Sequence, residues 1–204
     1  MISRRGMLIV VSAPSGAGKT TLCHEVRLSM PDLAYSVSYT TRPPRPGEVD
    51  STDFYFVTES AFTEIREAGG FAEWARVHGN LYGTHAGALE RPLAEGRDVL
   101  LDIDTQGARQ LRARYPEAVL IFVIAPSMAD LEQRLQERRS DADTEIRRRL
   151  ARAREEIQLW RQYDYLVVNR DVKEAVEQLV VVIQAERCRT TRLSLHIPDL
   201  EVRG

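Results

Sequence analysis

The stretch that most restricts this chain lies near its start, where the apolar run Met7-Leu-Ile-Val-Val11 leads into Ala13-Pro-Ser-Gly-Ala-Gly-Lys-Thr20. An unbroken apolar run without alternation is a strand buried on both faces, as in parallel sheets covered by helices. Gly16 and Gly18 let the backbone curl so that successive N–H groups face one point and surround an anion. Lys19 and Thr20 open a helix, whose N-terminus adds its positive end at the same place. Strand, glycine turn, Lys-Thr and helix together form a phosphate-binding loop. In that setting Lys19 reaches the β and γ phosphates of ATP, and the Thr20 hydroxyl joins a Mg²⁺ shell. The expected ATP contacts are therefore Ala13, Pro14, Ser15, Gly16, Ala17, Gly18, Lys19 and Thr20. The usual pattern has glycine at the first of these positions; Ala13 stands there at the strand end, where a methyl group is tolerable.

Further along, Val99-Leu-Leu101 and Val119-Leu-Ile-Phe-Val-Ile124 are wholly apolar strands, and Tyr165 to Val168 is the last strand. Helices are expected between them: after Lys19, from His85 to Glu95, after Ser127, from Thr144 through Trp160, and from Lys173 to Arg187. Apolar strands alternating with helices imply an α/β fold with a parallel sheet covered on both faces. Residues 38–92 break the rhythm. Leu33, Tyr35, Val37 and Tyr39 alternate as one strand, Thr41 to Glu48 is a proline-rich loop, and Phe54–Val57 and Phe71–Val77 read as strands. Thr58 caps a short helix that stops at Gly69-Gly70, and Gly79-Asn80 and Gly83 mark turns. This region reads as a small mixed α/β insertion. The tail after Thr190 carries little pattern.

Val99-Leu-Leu-Asp-Ile-Asp104 supplies a second fixed point. An acid at the C-terminal end of a buried parallel strand lies on the ligand side of such a sheet. Asp102 thus reads as the acid that orients Mg²⁺ or water in the ion's shell, and Asp104 projects from the same side. The chain of 204 residues suits one compact domain, and its formal net charge of −2 argues against a dedicated nucleic-acid binder. No apolar stretch approaches the roughly 20 residues of a membrane span. Cys23 and Cys188 stand far apart, reading as two lone buried thiols in a reducing, cytoplasmic setting.

These segments carry a resemblance. The loop at 13–20, Val-Ser-Tyr-Thr-Thr-Arg-Pro-Pro-Arg-Pro-Gly-Glu (37–48), Phe-Ala-Glu-Trp-Ala (71–75), Gly-Asn-Leu-Tyr-Gly-Thr (79–84), Leu-Asp-Ile-Asp-Thr-Gln-Gly (101–107) and Asp-Tyr-Leu-Val-Val-Asn (164–169) are similar to those of guanylate kinases. The likeness covers residues 5–188. It implies a three-layer P-loop kinase core (1–37 and 93–204) holding ATP, a GMP-binding insertion (38–92) and a short lid (137–149). It also implies that Arg42 and Arg45 clamp the GMP phosphate with help from the Tyr82 hydroxyl. Ser38, Glu73, Thr84 and Asp104 would read guanine, Arg138 and Arg149 would reach the transferring phosphates, and Asn169 would lie near adenine. Arginine forks suit phosphate oxygens. A carboxylate such as Glu73 accepts both the N1–H and the 2-amino protons of guanine, a donor pair adenine lacks.

Three departures from the family pattern stand out: Phe54 replaces a phosphate-binding tyrosine, Glu137-Arg138-Arg139 replaces Gly-Arg-Gly, and Arg170 replaces an acid. Arg147, Arg148, Arg152 and Arg154 read mostly as a solvated helix face.

The reaction implied is ATP + GMP to ADP + GDP, catalysed by alignment and charge neutralisation through Lys19, Arg42, Arg138 and Arg149. An anionic phosphate nucleophile needs no general base, and His24, His78, His85 and His196 show no partner pattern. The expected partners are ATP and GMP, with Mg²⁺, and neither nucleic acid nor membrane; the chain would act as a monomer or homo-oligomer. Two rival readings share the scaffold: a ribosyl-phosphate kinase, which would have no use for a guanine-reading acid, and a non-catalytic interaction module.

Overall fold

The computed structural model describes residues 2–77, 79–137 and 143–195. The chain opens with β1 (Ile2–Arg4), β2 (Leu8–Ser12) and α1 (Lys19–Ser29), followed by the two-residue strands β3 (Ala34–Tyr35) and β4 (Tyr39–Thr40). Next come β5 (Tyr55–Phe56), α2 (Glu59–Glu67), β6 (Phe71–Val77), β7 (Asn80–His85) and α3 (Ala86–Ala94). Regular alternation then sets in: β8 (Val99–Asp102), α4 (Thr105–Arg114), β9 (Val119–Ile124), α5 (Met128–Glu137), α6 (Asp143–Ile157), β10 (Tyr165–Val168) and α7 (Val172–Arg187). β11 (Leu193–Leu195) pairs antiparallel with β1.

The core is a five-stranded sheet in the order β10-β9-β2-β8-β3, with every pairing parallel. Strand alternation divides its side chains between two apolar clusters. Met7, Ile9 and Val11 face Leu22, Leu131, Leu150 and Leu179 from α1, α5, α6 and α7. Leu8 and Val10 face Leu89 of α3 and Leu111 of α4. All five residues of β2 are buried. Burying an aliphatic side chain of this size stabilises by about 1.5–3 kcal/mol, so this central strand anchors both layers. The expected α/β core, covered on both faces, is present.

The insertion forms its own four-stranded sheet, ordered β5-β4-β7-β6, over a small cluster of Phe62, Phe71 and Leu81. Thr58 caps α2, its hydroxyl accepting from the Ala61 N–H at 3.2 Å. His85 caps α3, its Nδ1 accepting from the Gly87 N–H at 3.1 Å, a structural task for one of the four histidines. His78 and His196 lie outside the described residues.

Several expectations need correction. The alternation at 33–39 is not one strand. β3 joins the core sheet and β4 the insertion sheet, so the chain crosses between layers at 36–38. Gly83 is inside β7 rather than in a turn: a Cβ there would lie 3.0 Å from both Phe62 and Phe71, so glycine admits those rings against the strand. The helix expected to run through Trp160 ends at Ile157, and a 3₁₀ segment, Gln158–Gln162, carries Trp160 partly into solvent. Cys23 is buried, but Cys188 is exposed just beyond α7. The tail shows pattern after all, through β11. Among the described residues no helix is long and apolar enough to cross a membrane.

Candidate active site

The loop after β2, Asp102 at the end of β8 and Asn169 after β10 all lie at the C-terminal edge of the parallel sheet. Gly16 and Gly18 have φ of 91° and 90°, the left-handed conformation that favours glycine. Gly18 is the N-cap of α1, so the loop's last turn presents the helix N-terminus to an anion. Asn169 is buried, and its amide donates to the Ala17 carbonyl at 2.8 Å. It braces the loop from behind. A side chain at 18 would meet it, since a Cβ there would stand 2.6 Å from the Asn169 Nδ2.

Lys19 Nζ stands 3.8 Å from Asp102 Oδ2. The other oxygen of that carboxylate accepts from the Tyr35 hydroxyl at 2.6 Å. Burial, and then the Asp102 charge, push Tyr35 far above the usual phenol range, so it remains a donor to Asp102. The sequence alone does not single out Tyr35; the fold brings it there by pairing β3 beside β8.

Two adjoining cavities share Thr20, Phe54, Tyr82 and Asp102. The smaller, about 160 Å³, is also bounded by Lys19, Ser38, Glu73 and Asp104. Glu73 is only 4% exposed, and its carboxylate accepts from the Thr84 hydroxyl at 2.6 Å. Burial is the main cause that raises its pKa to about 7; the Asp104 charge adds to the rise, while Thr84 and Lys19 oppose it. Asp104 caps α4 by accepting from the Gly107 N–H at 2.9 Å, and it lies 3.5 Å from Arg152. Ser38, Glu73, Thr84 and Asp104 are thus gathered around one end of the cleft.

The larger cavity, about 580 Å³, is lined by Arg42, Arg45 and Arg149. The Arg42 guanidinium donates to both Glu48 oxygens at 2.9 Å, and its Nε donates to the Tyr82 hydroxyl at 3.2 Å. Burial would raise the Glu48 pKa, but the Arg42 fork and the Arg45 N–H outweigh it and hold the acid below its ordinary value. Glu48 therefore keeps Arg42 in place, a task its position at the end of a proline-rich loop does not announce. Arg45 is exposed on that loop.

Phe54 and Phe56 lie on the Arg42 side, with Arg42 5.3 Å and 5.8 Å from their ring centres. Tyr55 turns to the other face and stacks on Tyr39 at 4.7 Å. Its hydroxyl does not stand in for the one Phe54 lacks. On α6, Arg147, Arg148 and Arg154 are exposed, as a solvated face implies, but Arg152 is not one of them. It bridges Asp104 and Glu156, the latter at 2.8 Å. Arg138, expected in the lid, lies outside the described residues.

A glycine-curled loop on a parallel sheet, with Lys-Thr at its helix start and an acid on the adjacent strand, defines a P-loop kinase. The small second sheet with its arginines beside the loop makes it one that acts on a small phosphorylated acceptor. Comparison with known proteins narrows the class. The guanylate kinase family model matches residues 5–186. The guanylate kinase of Geobacter sulfurreducens is 52% identical over 192 residues, covering 94% of this chain and 95% of that one. That of Syntrophotalea carbinolica is 50% identical over 192 residues, covering 94% and 91%. A crystal structure of guanylate kinase from Anaplasma phagocytophilum superposes with a TM-score of 0.81 at 33% identity, covering 95% of this chain and 92% of that one. The chain belongs to the guanylate kinase family.

Proposed function

We propose that the cleft transfers the γ-phosphoryl group of ATP to GMP, giving ADP and GDP, by fixing two anionic nucleotides end to end. The chain is an ATP:GMP phosphotransferase, a nucleoside monophosphate kinase. The observation that carries the residue-level reading is the buried Glu73 carboxylate, which shares a cavity of about 160 Å³ with Lys19, Asp102 and Asp104. A carboxylate enclosed beside the phosphate loop matches the paired N1–H and 2-amino donors of guanine. A sugar phosphate offers nothing to such an acid, which disfavours the ribosyl-phosphate reading. The intact loop disfavours a non-catalytic module.

In this account residues 1–37 and 93–204 hold ATP, 38–92 hold GMP, and 137–149 close over the phosphates. The loop N–H groups and Lys19 bind the β and γ phosphates. Arg42, Arg45 and Tyr82 hold the GMP phosphate, with Arg42 exchanging Glu48 for phosphate oxygens. Arg149, with Arg138, neutralises charge on the moving group. Ser38, Thr84 and Asp104 complete the guanine pocket. The acceptor oxygen is already anionic near neutral pH, so no side chain has to remove a proton. Catalysis is alignment and preorganised charge.

Thr20 and Asp102 offer a hydroxyl and a carboxylate, the hard oxygen donors that suit Mg²⁺. A Mg²⁺ ion held there would supply positive charge against the phosphates. ATP and GMP, rather than nucleic acid or a membrane, are the proposed partners, and the setting is cytoplasmic; the chain acts as a monomer or a homo-oligomer.

An ADP-release assay across GMP, AMP, UMP and ribose phosphates, with Mg²⁺ and with EDTA, tests the reading. GMP should be turned over at least about a hundredfold better than AMP, as a site built to bond a donor pair rejects a base without it, and EDTA should abolish turnover. Comparable rates with ribose phosphates, or none with GMP, would overturn it.

A further inference from the structure

The Leu-Asp-Ile-Asp-Thr-Gln-Gly motif ends in Gly107, in the first turn of α4. Helix interiors favour alanine over glycine, so a glycine here has another reason. A Cβ at 107 would stand 2.3 Å from the Glu73 Oε2 and 2.9 Å from its Cδ. The carboxylate on which guanine recognition rests occupies the space a side chain would take.

One turn on, Gln110 faces the same strand. β6 is an edge strand of the insertion sheet, and the N–H and carbonyl of Trp74 point out from that edge. Gln110 satisfies both: its Oε1 accepts from the Trp74 N–H at 3.2 Å, and its Nε2 donates to the Trp74 carbonyl at 2.7 Å. The side-chain amide acts as the missing neighbour of the strand, one residue from Glu73. It joins an element of the core to the insertion. The same first turn holds Asp104, whose carboxylate accepts from the Gly107 N–H. α4 thereby sets the spacing of both acids of the guanine pocket.

We propose that Gly107 and Gln110 are positioning residues for guanine selectivity: Gln110 fixes β6 against α4, and Gly107 leaves the space in which the Glu73 carboxylate stands beside Asp104. This rests on Glu73 as the guanine reader. Neither residue touches the nucleotide; both act through Glu73. Thr84 holds that carboxylate through its hydroxyl, and displacing it would move the paired acceptor and with it the recognition of the 2-amino group.

The test compares kcat and KM for GMP and for IMP, which lacks the 2-amino group, in Gly107→Ala, Gln110→Ala and Glu73→Gln at saturating ATP. Gly107→Ala should lower the GMP:IMP ratio of kcat/KM at least about tenfold, mainly through the KM for GMP. The KM for ATP should stay within about twofold. Gln110→Ala should move the ratio in the same direction, and it remains a test should Gly107→Ala not fold. An unchanged ratio in both, or a parallel loss for GMP and IMP, overturns the proposal. If Glu73→Gln collapses the ratio and the other two do not, the proposal alone fails. If Glu73→Gln leaves the ratio unchanged, the reading of Glu73 fails with it.

Discussion

In its proposed role Glu73 meets two opposing demands. Burial favours the neutral acid, while guanine, with two donors on its edge, favours the carboxylate. The structure balances them near neutrality: Thr84 and Lys19 support the charge, burial and Asp104 oppose it, and the pKa is about 7. The sign of the pH dependence follows. A group with a raised pKa is protonated below about 7, so GMP must then displace a proton to bind, and its apparent affinity weakens as pH falls. Between pH 8 and 6 the KM for GMP should rise several-fold in the wild type. The GMP phosphate also titrates, with a second pKa of about 6, so Glu73→Gln is the control. The difference in slope between the two proteins should be close to one proton below pH 7; equal slopes would remove Glu73 from guanine binding.

At the scale of elements, the opposite end of the sheet carries no proposed chemistry but much of the architecture. Asp98, just before β8, is buried with its side chain fully enclosed. It pairs with the Arg4 fork, accepts from Arg187 Nε at 2.7 Å and takes the Met7 N–H at 2.9 Å. β1, β2 and α7 are thus tied to one carboxylate. Asp98→Ala would leave the guanidinium groups without their buried acceptor, and breaking a buried ion pair in this way costs about 3–5 kcal/mol. Urea unfolding should show a loss of that order. Because the active site lies at the other edge, kcat of the folded variant should stay near the wild-type value at low temperature. Elements differ in how plainly the sequence announces them. β2, β8 and β9 are legible because burial on both faces keeps their runs apolar up to the last residue, where β2 ends in Ser12 and β8 in Asp102. The split of 33–39 is not, since Leu33, Tyr35, Val37 and Tyr39 keep perfect alternation while the chain changes sheets. β11 was hidden because its pairing with β1 is a contact across nearly the whole chain length.

For the whole molecule, a chain with a formal net charge of −2 gathers basic side chains from distant parts of its sequence at one place. Lys19, Arg42, Arg45 and Arg149 meet around one cleft between core and insertion. The phosphate loop, Asp102 and the two acids proposed to face guanine are legible because the proposed chemistry requires particular residues at particular offsets. Tyr35, Glu48, Gln110 and Arg152 are not, because each is an ordinary polar residue that acquires its task only when a strand or helix from elsewhere arrives beside it. Arg152 shows this best: on α6 alone it belongs to a run of solvated arginines, and only the packing of α6 over the cleft gives it Asp104 and Glu156. The account's central claim is that this cleft accepts a nucleotide whose base is chosen by one buried carboxylate. The ratio of kcat/KM for GMP over AMP, measured in the wild type and in Glu73→Gln, tests it most directly. The account predicts a ratio above about a hundred that falls by about two orders of magnitude in the variant, through loss of GMP activity; a ratio unmoved by the substitution would contradict it.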